Sequence, residues 1–295
     1  MIPHTRPGVW PSDIPESRFA SLIRQAPEGC RVGLLGLPDD LGIRLNRGRP
    51  GAALGPAAFR NALARYGVAH PEGWQWPLVF DAGDVLPATG DDDNALLETH
   101  RRISDAAAAL ANLNLVPIAI GGGHDLTLPF VRGLMQKLRI ASGVYFDAHL
   151  DVRESIGSGM PFRRLVQDCG IASLRAFGIE RLANSHEHLA WFRASGGRLA
   201  DEMGPEAWRM PLTDFFVSFD LDVLDASAAP GVSAANPCGW TPREAEEALR
   251  LVAREPGARC FDLMELSPPH DPDGRTARLA AHLFLTILRG IGERR

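Results

Sequence analysis

The sequence predicts an α/β fold of three layers (α/β/α), in which helices cover both faces of a mainly parallel sheet. Short runs rich in Val, Ile, Leu and Phe recur along the chain without a clean alternation of apolar and polar residues. Strands that are buried on both faces have this pattern. Helical patterns lie between the runs, and alternation of strand and helix favours a parallel sheet with helices on either side.

The predicted strands are the apolar runs 31–37, 115–123, 143–149, 215–223 and 258–266. The predicted helices begin near residues 55, 93, 126, 241 and 275. The helix near 241 carries an N-cap at Thr241, a proline at the first helical position and Glu244 in a capping box. No linker or repeat interrupts the pattern, so we expect one domain over residues 31–295, preceded by a surface arm over residues 1–30 with one short helix.

Composition excludes several classes of protein. The chain has 295 residues, of which 45% are hydrophobic, as in globular proteins with a sizeable core. Its formal charge of -5 and its scattered basic residues argue against a nucleic-acid partner. The four cysteines form no CxxC pair, so we interpret them as reduced thiols of a cytoplasmic protein. We expect neither secretion nor membrane insertion, because the N-terminus lacks an apolar signal segment and LAAHLFLTIL is too short to span a bilayer.

Polar residues follow four of the predicted strands. GGGHD follows the strand near 115, DAHLD ends the one near 143, DLDVLD ends the one near 215, and EL ends the one near 258. In open α/β sheets, ligands bind outside the carboxyl ends of the strands, where the connecting loops converge. We therefore expect these four segments to face one rim of the sheet.

Six side chains in these segments are of types that bind divalent cations: His124, Asp147, His149, Asp151, Asp220 and Asp222. Alternate residues of a strand face one side, so DAHLD converges if strand geometry continues through it. Four carboxylates in a low-dielectric cleft are unfavourable unless cations neutralise them. Ligands rich in oxygen, without thiolate, suit Mn²⁺ better than structural Zn²⁺. Two ions about 3.5 to 4 Å apart lower the pKa of a shared water, which predicts metal-activated hydrolysis.

Three other interpretations compete with this one. A single DxH or DxD at a strand end is commonly a cap or a loop acceptor, and only the combination of clusters favours a metal site. Dinuclear metallophosphoesterases also use DxH, but there the motif comes first in the chain, whereas here GGGH precedes DAHLD. A catalytically silent protein that keeps the site for stability would lose no turnover when a ligand is replaced.

The motifs GGGHD at 121, DAHLD at 147 and SFDLD at 218 resemble, in this order, the ureohydrolase family of arginases, agmatinases and formimidoylglutamases. The family pattern is GG-x-H, DAH-x-D and S-x-D-x-D, and the match runs from GLLGLP near 33 to the final helix. The resemblance implies two Mn²⁺ per subunit and a homo-oligomer, either trimer or hexamer. One ion would be bound by His124, Asp147, Asp151 and Asp220, and the other by Asp147, His149, Asp220 and Asp222. The family's catalytic role of orienting the nucleophile would fall to Asp151.

Within the family, four stretches look like formimidoylglutamase: LGIRLNRGRPGAALGP at 41, DVRESIGSGMPFR at 151, AAPGVSA at 228 and DGRTARLAA at 273. The third glycine of GGGH points the same way. ELSPPHD at 265 resembles the agmatinase version of its loop, and Met160 replaces the usual threonine. We therefore expect Mn²⁺-dependent hydrolysis of N-formimidoyl-L-glutamate, an intermediate of histidine degradation, to L-glutamate and formamide. The alternative is an amidinohydrolase that releases urea from agmatine, a guanidino acid or arginine.

The expected substrate is a small cationic amidine flanked by carboxylates, so its pocket needs an acid near the metals and cationic donors further out. Glu265, at the end of a predicted strand, is the candidate catalytic partner of the amidinium. Arg153 is placed for a bidentate contact with a carboxylate. Ser158 and Asn46 are candidate hydrogen-bond donors to the substrate.

Three more arginines, Arg44, Arg163 and Arg275, are weaker candidates for the second carboxylate. In arginase-like relatives the position of Arg153 is a neutral Asn, and a histidine proton shuttle occupies the place of Phe162. Arg153 therefore argues for a substrate with a dianionic tail, and Phe162 argues against an arginase mechanism.

Overall fold

The computed structural model describes residues 2–67, 75–209 and 214–294. Within them the strands are β1 (Thr5–Arg6), β2 (Val32–Leu37), β3 (Val79–Val85), β4 (Val116–Gly121), β5 (Ser142–Phe146), β6 (Ser173–Phe177), β7 (Gly197–Leu199), β8 (Phe215–Asp220) and β9 (Ala258–Met264). The α-helices are α1 (Leu41–Leu45), α2 (Gly55–Leu63), α3 (Asp93–Ala111), α4 (Thr127–Leu134), α5 (Pro161–Cys169), α6 (His186–Ala194), α7 (Ala200–Met203), α8 (Pro242–Ala253) and α9 (Arg275–Gly292).

The strands of the described residues form one sheet in the order β1-β3-β2-β4-β9-β8-β5-β6-β7. Every neighbouring pair is parallel except β1 with β3. The four strands with polar carboxyl ends are neighbours in the middle of the sheet, in the order β4-β9-β8-β5. The predicted common rim is therefore present.

Two apolar cores lie on opposite faces of the sheet, because successive strand residues point to opposite sides. Val144 of β5 belongs to the core that includes side chains of α2, α8 and α9. The next residue, Tyr145, belongs to the other core, which includes side chains of α3, α4 and α5. This arrangement is the three-layer α/β/α architecture that the sequence predicts.

Strand register brings the site residues side by side. Phe146 of β5 pairs with Phe219 of β8, so the residues that follow, Asp147 and Asp220, are neighbours at the rim. Asp220 pairs in turn with Met264 of β9, the residue before Glu265.

The first 30 residues pack on the sheet more closely than a surface arm would. β1 pairs with β3 at the sheet edge, and Phe19 is buried in a short 3-10 helix over Phe19–Leu22. The indole of Trp10 donates to Asp81 Oδ2 at 2.7 Å. The expected short helix is therefore present, although it is a 3-10 turn.

A buried arginine neutralises the acidic strand β3. Arg60 of α2 bonds both oxygens of Asp81 at 2.9 and 3.0 Å and Asp84 Oδ1 at 2.6 Å. The three side chains are almost completely buried. Removing one partner of such a network typically costs about 3–5 kcal/mol, because the remaining charges stay buried and unpaired.

The helix near 241 has the predicted start. Thr241 accepts from the Glu244 amide, and the Glu244 carboxylate accepts from the Thr241 amide at 2.8 Å. No helix within the described residues is long and apolar enough to cross a membrane.

Candidate metal centre

The site lies at the carboxyl ends of the four central strands. His124 follows β4 in a 3-10 turn, Asp147 follows β5 directly, Asp220 ends β8, and Glu265 follows β9. The glycines after β4 allow a tight approach of the backbone: a Cβ on Gly122 would lie 1.7 Å from a carbonyl oxygen. The glycine run therefore serves packing next to the site.

Four of the predicted ligands form a first cluster. His124 Nδ1 lies 3.1 Å from Asp147 Oδ2, 3.0 Å from Asp151 Oδ2 and 3.0 Å from Asp220 Oδ2. One ligand atom from each of the four residues lies within 4.8 Å of the others, a spacing that could hold one ion. Neither His124 Nδ1 nor Asp147 Oδ2 has a well-aligned hydrogen bond to any described residue. The unpaired lone pairs of these two atoms fit a cation bound between the four residues.

A second cluster contains Asp147, His149 and Asp222. His149 Nδ1 lies 2.9 Å from Asp222 Oδ2 and 3.4 Å from Asp147 Oδ1. Asp147 thus presents one oxygen to each cluster and is placed to link two ions. Asp220 belongs only to the first of these clusters, so the bridging role that the resemblance implies for Asp220 stays a prediction.

The ligand residues converge through a folded loop, and the assumption of continued strand geometry is wrong. β5 ends at Phe146, and Asp151 adopts a left-handed conformation with φ of 47°. Asp147 Oδ1 accepts from the His149 amide at 2.6 Å, which is the turn that Asp side chains favour two residues ahead of an amide. Asp220 makes the same contact with Asp222. The side chains of Asp147 and Asp220 therefore stabilise the turns of the loops that carry the other predicted ligands.

A hydrogen-bond relay fixes the tautomer of His124. Ser218 Oγ donates to Asp262 Oδ1 at 2.6 Å, so the hydroxyl oxygen is left to accept from His124 Nε2 at 3.0 Å. In the neutral imidazole the proton must then lie on Nε2, which leaves the lone pair of Nδ1 directed toward the carboxylates. Such partners behind a ligand histidine set its orientation and basicity. Sequence reasoning gave no role to Ser218 or Asp262, although Ser218 belongs to a quoted motif.

Electrostatics also indicate that cations are needed. Burial, with the charges of Asp151 and Asp222, raises the pKa of Asp147 to about 6. Burial also raises the pKa of Asp220. Burial opposes protonation of His124, but Asp220 and the other carboxylates outweigh it and raise the histidine pKa. Without cations, the site therefore retains protons that bound metal ions would displace.

Glu265 has a free carboxylate oxygen in the same region. Its Oε1 accepts from the His124 amide at 2.9 Å, while Oε2 has no hydrogen-bond partner among the described residues. Burial raises the pKa of Glu265 to about 8; the nearby side chain of Ser233 opposes this shift and the charge of Asp222 adds to it. An unpaired, buried carboxylate oxygen of this kind favours a cationic donor.

A cleft of about 130 Å³ opens over both clusters. All four residues predicted to bind substrate line it: Asn46, Arg153, Ser158 and Glu265. With its oxygen toward the loop, the Asn46 amide accepts from the amides of Ser158 and Gly159 at 3.0 and 2.8 Å. Asn46 therefore also holds the loop that carries Ser158.

Three other arginines have partners elsewhere. Arg44 pairs with Asp40 at 3.3 Å, and Arg275 binds Asp273. Arg163 donates from Nε to the Val152 carbonyl at 2.6 Å and from Nη1 to Glu154 at 3.0 Å. All three side chains thus have structural contacts. Arg153 has no ion pair with any described residue.

Ser218→Ala should weaken binding of divalent cations. The substitution removes the acceptor of the His124 proton, so we expect Mn²⁺ affinity to fall about 10- to 100-fold. Titration followed by the electron paramagnetic resonance of free Mn²⁺ measures this. The control is Ser104→Ala: Ser104 is also buried, but bonds Pro129 away from the clusters. Equal affinities in the two variants would contradict the relay.

The metal-free protein should become less stable as pH rises. A carboxyl whose pKa is raised by folding contributes its full stabilisation of the folded state when the pH is below its pKa in the unfolded chain. This contribution is lost as the pH rises through its pKa in the folded protein. For Glu265 that folded value is about 8. Calorimetry should show Tm falling by several degrees between about pH 6 and about pH 8, and saturating Mn²⁺ should abolish the fall. A metal-free Tm that rises over this window would contradict it.

Comparison with known proteins agrees with this geometry. The arginase family model matches residues 30–289. Formimidoylglutamase of Aromatoleum aromaticum is 38% identical to this chain, over 92% of this chain and 86% of the relative. The mitochondrial guanidino acid hydrolase of Homo sapiens is 30% identical, over 90% of this chain and 80% of the relative.

A solved structure supports the same relationship. The crystal structure of Trypanosoma cruzi formiminoglutamase with Mn²⁺ superposes with a TM-score of 0.85 and 28% identity, over 96% of this chain and all of that one. Fold, motifs and family match agree along most of the sequence. This chain belongs to the arginase family.

Proposed function

We propose that this chain is a binuclear-manganese hydrolase that converts N-formimidoyl-L-glutamate and water to L-glutamate and formamide. The observation that carries the proposal is the pairing of charges in the cleft: the free carboxylate oxygen of Glu265 lies near the metal clusters, and the unpaired Arg153 lines the same cleft. A cationic amidine with carboxylates on its tail matches this distribution. Relatives named formimidoylglutamase support it.

Two Mn²⁺ ions would occupy the clusters, as the Mn²⁺-containing Trypanosoma structure suggests. We propose the first site at His124, Asp147, Asp151 and Asp220, and the second at Asp147, His149, Asp220 and Asp222, six residues in all. When bound, the ions supply Lewis acidity and lower the pKa of a coordinated water. The mainly oxygen donor set, with two imidazoles and no thiolate, fits Mn²⁺.

The protein groups have separate tasks in this mechanism. Ionised Glu265 pairs with the amidinium and holds its carbon over the clusters. Arg153 binds a tail carboxylate through two parallel hydrogen bonds, and Ser158 and the amide nitrogen of Asn46 add polar contacts with the substrate. Asp151 orients the attacking water and accepts its proton. The water oxygen bonds to the amidine carbon, and the bond from that carbon to the glutamate nitrogen then breaks. The nitrogen takes the proton held by Asp151 and leaves as the amine, with formamide as the coproduct.

Phe162 separates this site from an arginase site. Phe162 is fully buried, stacks on Tyr145 with centroids 3.7 Å apart, and meets the His124 ring edge-on at 5.2 Å. Where arginase-like members place a histidine shuttle, this chain therefore has an apolar side chain packed against a proposed metal ligand. Phe162 cannot transfer a proton to a departing ornithine-type amine.

We further propose a cytoplasmic homo-oligomer. Four free cysteines among the described residues support a reducing compartment. The family resemblance supports a trimer or a hexamer.

A substrate panel tests the proposed function. The purified chain loaded with Mn²⁺ should release glutamate and formamide from formimidoylglutamate, with negligible urea from arginine, agmatine or guanidino acids. Enzymatic glutamate and urea assays measure this. Urea release as the main activity would replace the proposal with the guanidino acid alternative, which the human relative represents.

Arg153→Met should weaken substrate binding more than turnover. Losing a bidentate contact to a charged group costs about 1.5–3 kcal/mol, so KM should rise roughly 10- to 100-fold with a smaller change in kcat. Arg139→Met, at an exposed arginine outside the cleft, is the control. An unchanged KM for the Arg153 variant would remove Arg153 from the substrate site.

A further inference from the structure

The side chain of Asn184 lies against the loop that carries His149. Its Oδ1 accepts from the Leu150 amide at 2.8 Å, and its Nδ2 donates to the Ala148 carbonyl at 2.9 Å. These two groups are the backbone neighbours of His149 on either side. The Asn184 carboxamide therefore holds the backbone on both sides of His149, a residue of the second cluster.

The orientation of this carboxamide is fixed by its partners. Nδ2 also donates to the Glu180 carbonyl at 2.8 Å, and the Glu180 amide donates to the Ala148 carbonyl at 2.9 Å. An oxygen in the place of Nδ2 would face two carbonyl oxygens. Only an amide, with two donors and one acceptor on a short stem, satisfies all three groups.

The orientation of the His149 ring depends on the backbone held by Asn184, whereas the His124 ring has a side-chain partner of its own. His124 is held through Nε2 by Ser218. No described side chain bonds Nε2 of His149, whose side chain is 30% exposed. Its ring is aimed at Asp222 and Asp147 mainly by the path of the loop. A shift of that loop would move Nδ1 out of the second cluster, whereas two of the four residues of the first cluster, His124 and Asp220, come from the ends of other strands.

We propose that Asn184 is a positioning residue of the second metal site, acting through His149. The inference rests on the proposed role of the clusters in Mn²⁺ binding. Asn184 lines a separate cavity with Leu150 and Ser185 and does not line the cleft. Its substitution therefore removes no predicted contact with the substrate.

The test uses full-length Asn184→Asp and Asn184→Ala. Asp keeps the shape of the side chain and the oxygen that accepts from Leu150, but it replaces Nδ2 by an oxygen that the carbonyls of Ala148 and Glu180 repel. Ala removes all three hydrogen bonds without adding repulsion. The control is Asn112→Asp, at a helix-end asparagine that donates to the Ala108 carbonyl on the surface. Mn²⁺ titration followed by electron paramagnetic resonance resolves two binding steps, and scanning calorimetry of the metal-free proteins gives Tm.

We expect one of the two Mn²⁺ steps to weaken about 10- to 100-fold in both Asn184 variants, with the other step within about 3-fold of the wild type. The same step should be lost in His149→Ala, which identifies the site. The Asn112 variant should bind as the wild type does. A purely structural role would lower the metal-free Tm and leave both steps unchanged or weaken them equally, and either result overturns the inference.

The outcome is separate from the substrate assignment. If the wild type binds two Mn²⁺ but does not hydrolyse formimidoylglutamate, the proposed substrate fails and Asn184 is still judged by the titration. If Asn184→Asp does not fold, Asn184→Ala decides. Wild-type protein that shows no second Mn²⁺ step overturns the role of Asn184 directly.

Discussion

The repulsion between carboxylates buried at one rim of the sheet is the constraint on which the rest of this structure depends. Asp147, Asp151, Asp220 and Asp222 lie within a few ångströms of two imidazoles, and three of the acids are almost fully buried. Such a concentration of like charge is stable only with protons or cations between the oxygens. Burial raises the pKa of Asp147 and Asp220, so the metal-free site keeps protons where the proposed ions would bind.

The fold supplies this arrangement through register and local turns. Pairing of Phe146 with Phe219 places Asp147 beside Asp220, and each acid then folds the next two residues of its loop by accepting an amide hydrogen. The two imidazoles are supported differently, since Ser218 holds the ring of His124 and Asn184 holds the backbone around His149. Both supports come from outside the ligand set.

The sequence predicted the central strands and the polar segments at their carboxyl ends because both depend on local signals. The apolar runs end in polar segments, and those ends become neighbours in any parallel sheet of this kind. β3 was missed because Asp81 and Asp84 interrupt its apolar pattern, and their neutralisation by Arg60 is a contact between distant residues. The short strands β6 and β7 near the opposite edge gave no comparable apolar run. The pairing of β1 with β3 likewise depends on tertiary structure.

The chemistry of the site was more predictable than its geometry. Residue types at strand ends indicate a cation site, but the left-handed backbone of Asp151 and the partners of Arg163 follow from how loops pack. Arg163 is an example: its charge made it a candidate for a carboxylate of the substrate, whereas it bonds Val152 and Glu154. A single sequence does not reveal which arginines remain unpaired.

The most direct test of the central claim is the Mn²⁺ stoichiometry of the purified chain, by equilibrium dialysis with metal analysis, for the wild type and Asp147→Ala. Asp147 presents an oxygen to each cluster. The account predicts two tightly bound Mn²⁺ per wild-type chain and the loss of tight binding at both sites in the variant. No Mn²⁺ on the wild type, or two retained by the variant, would contradict it.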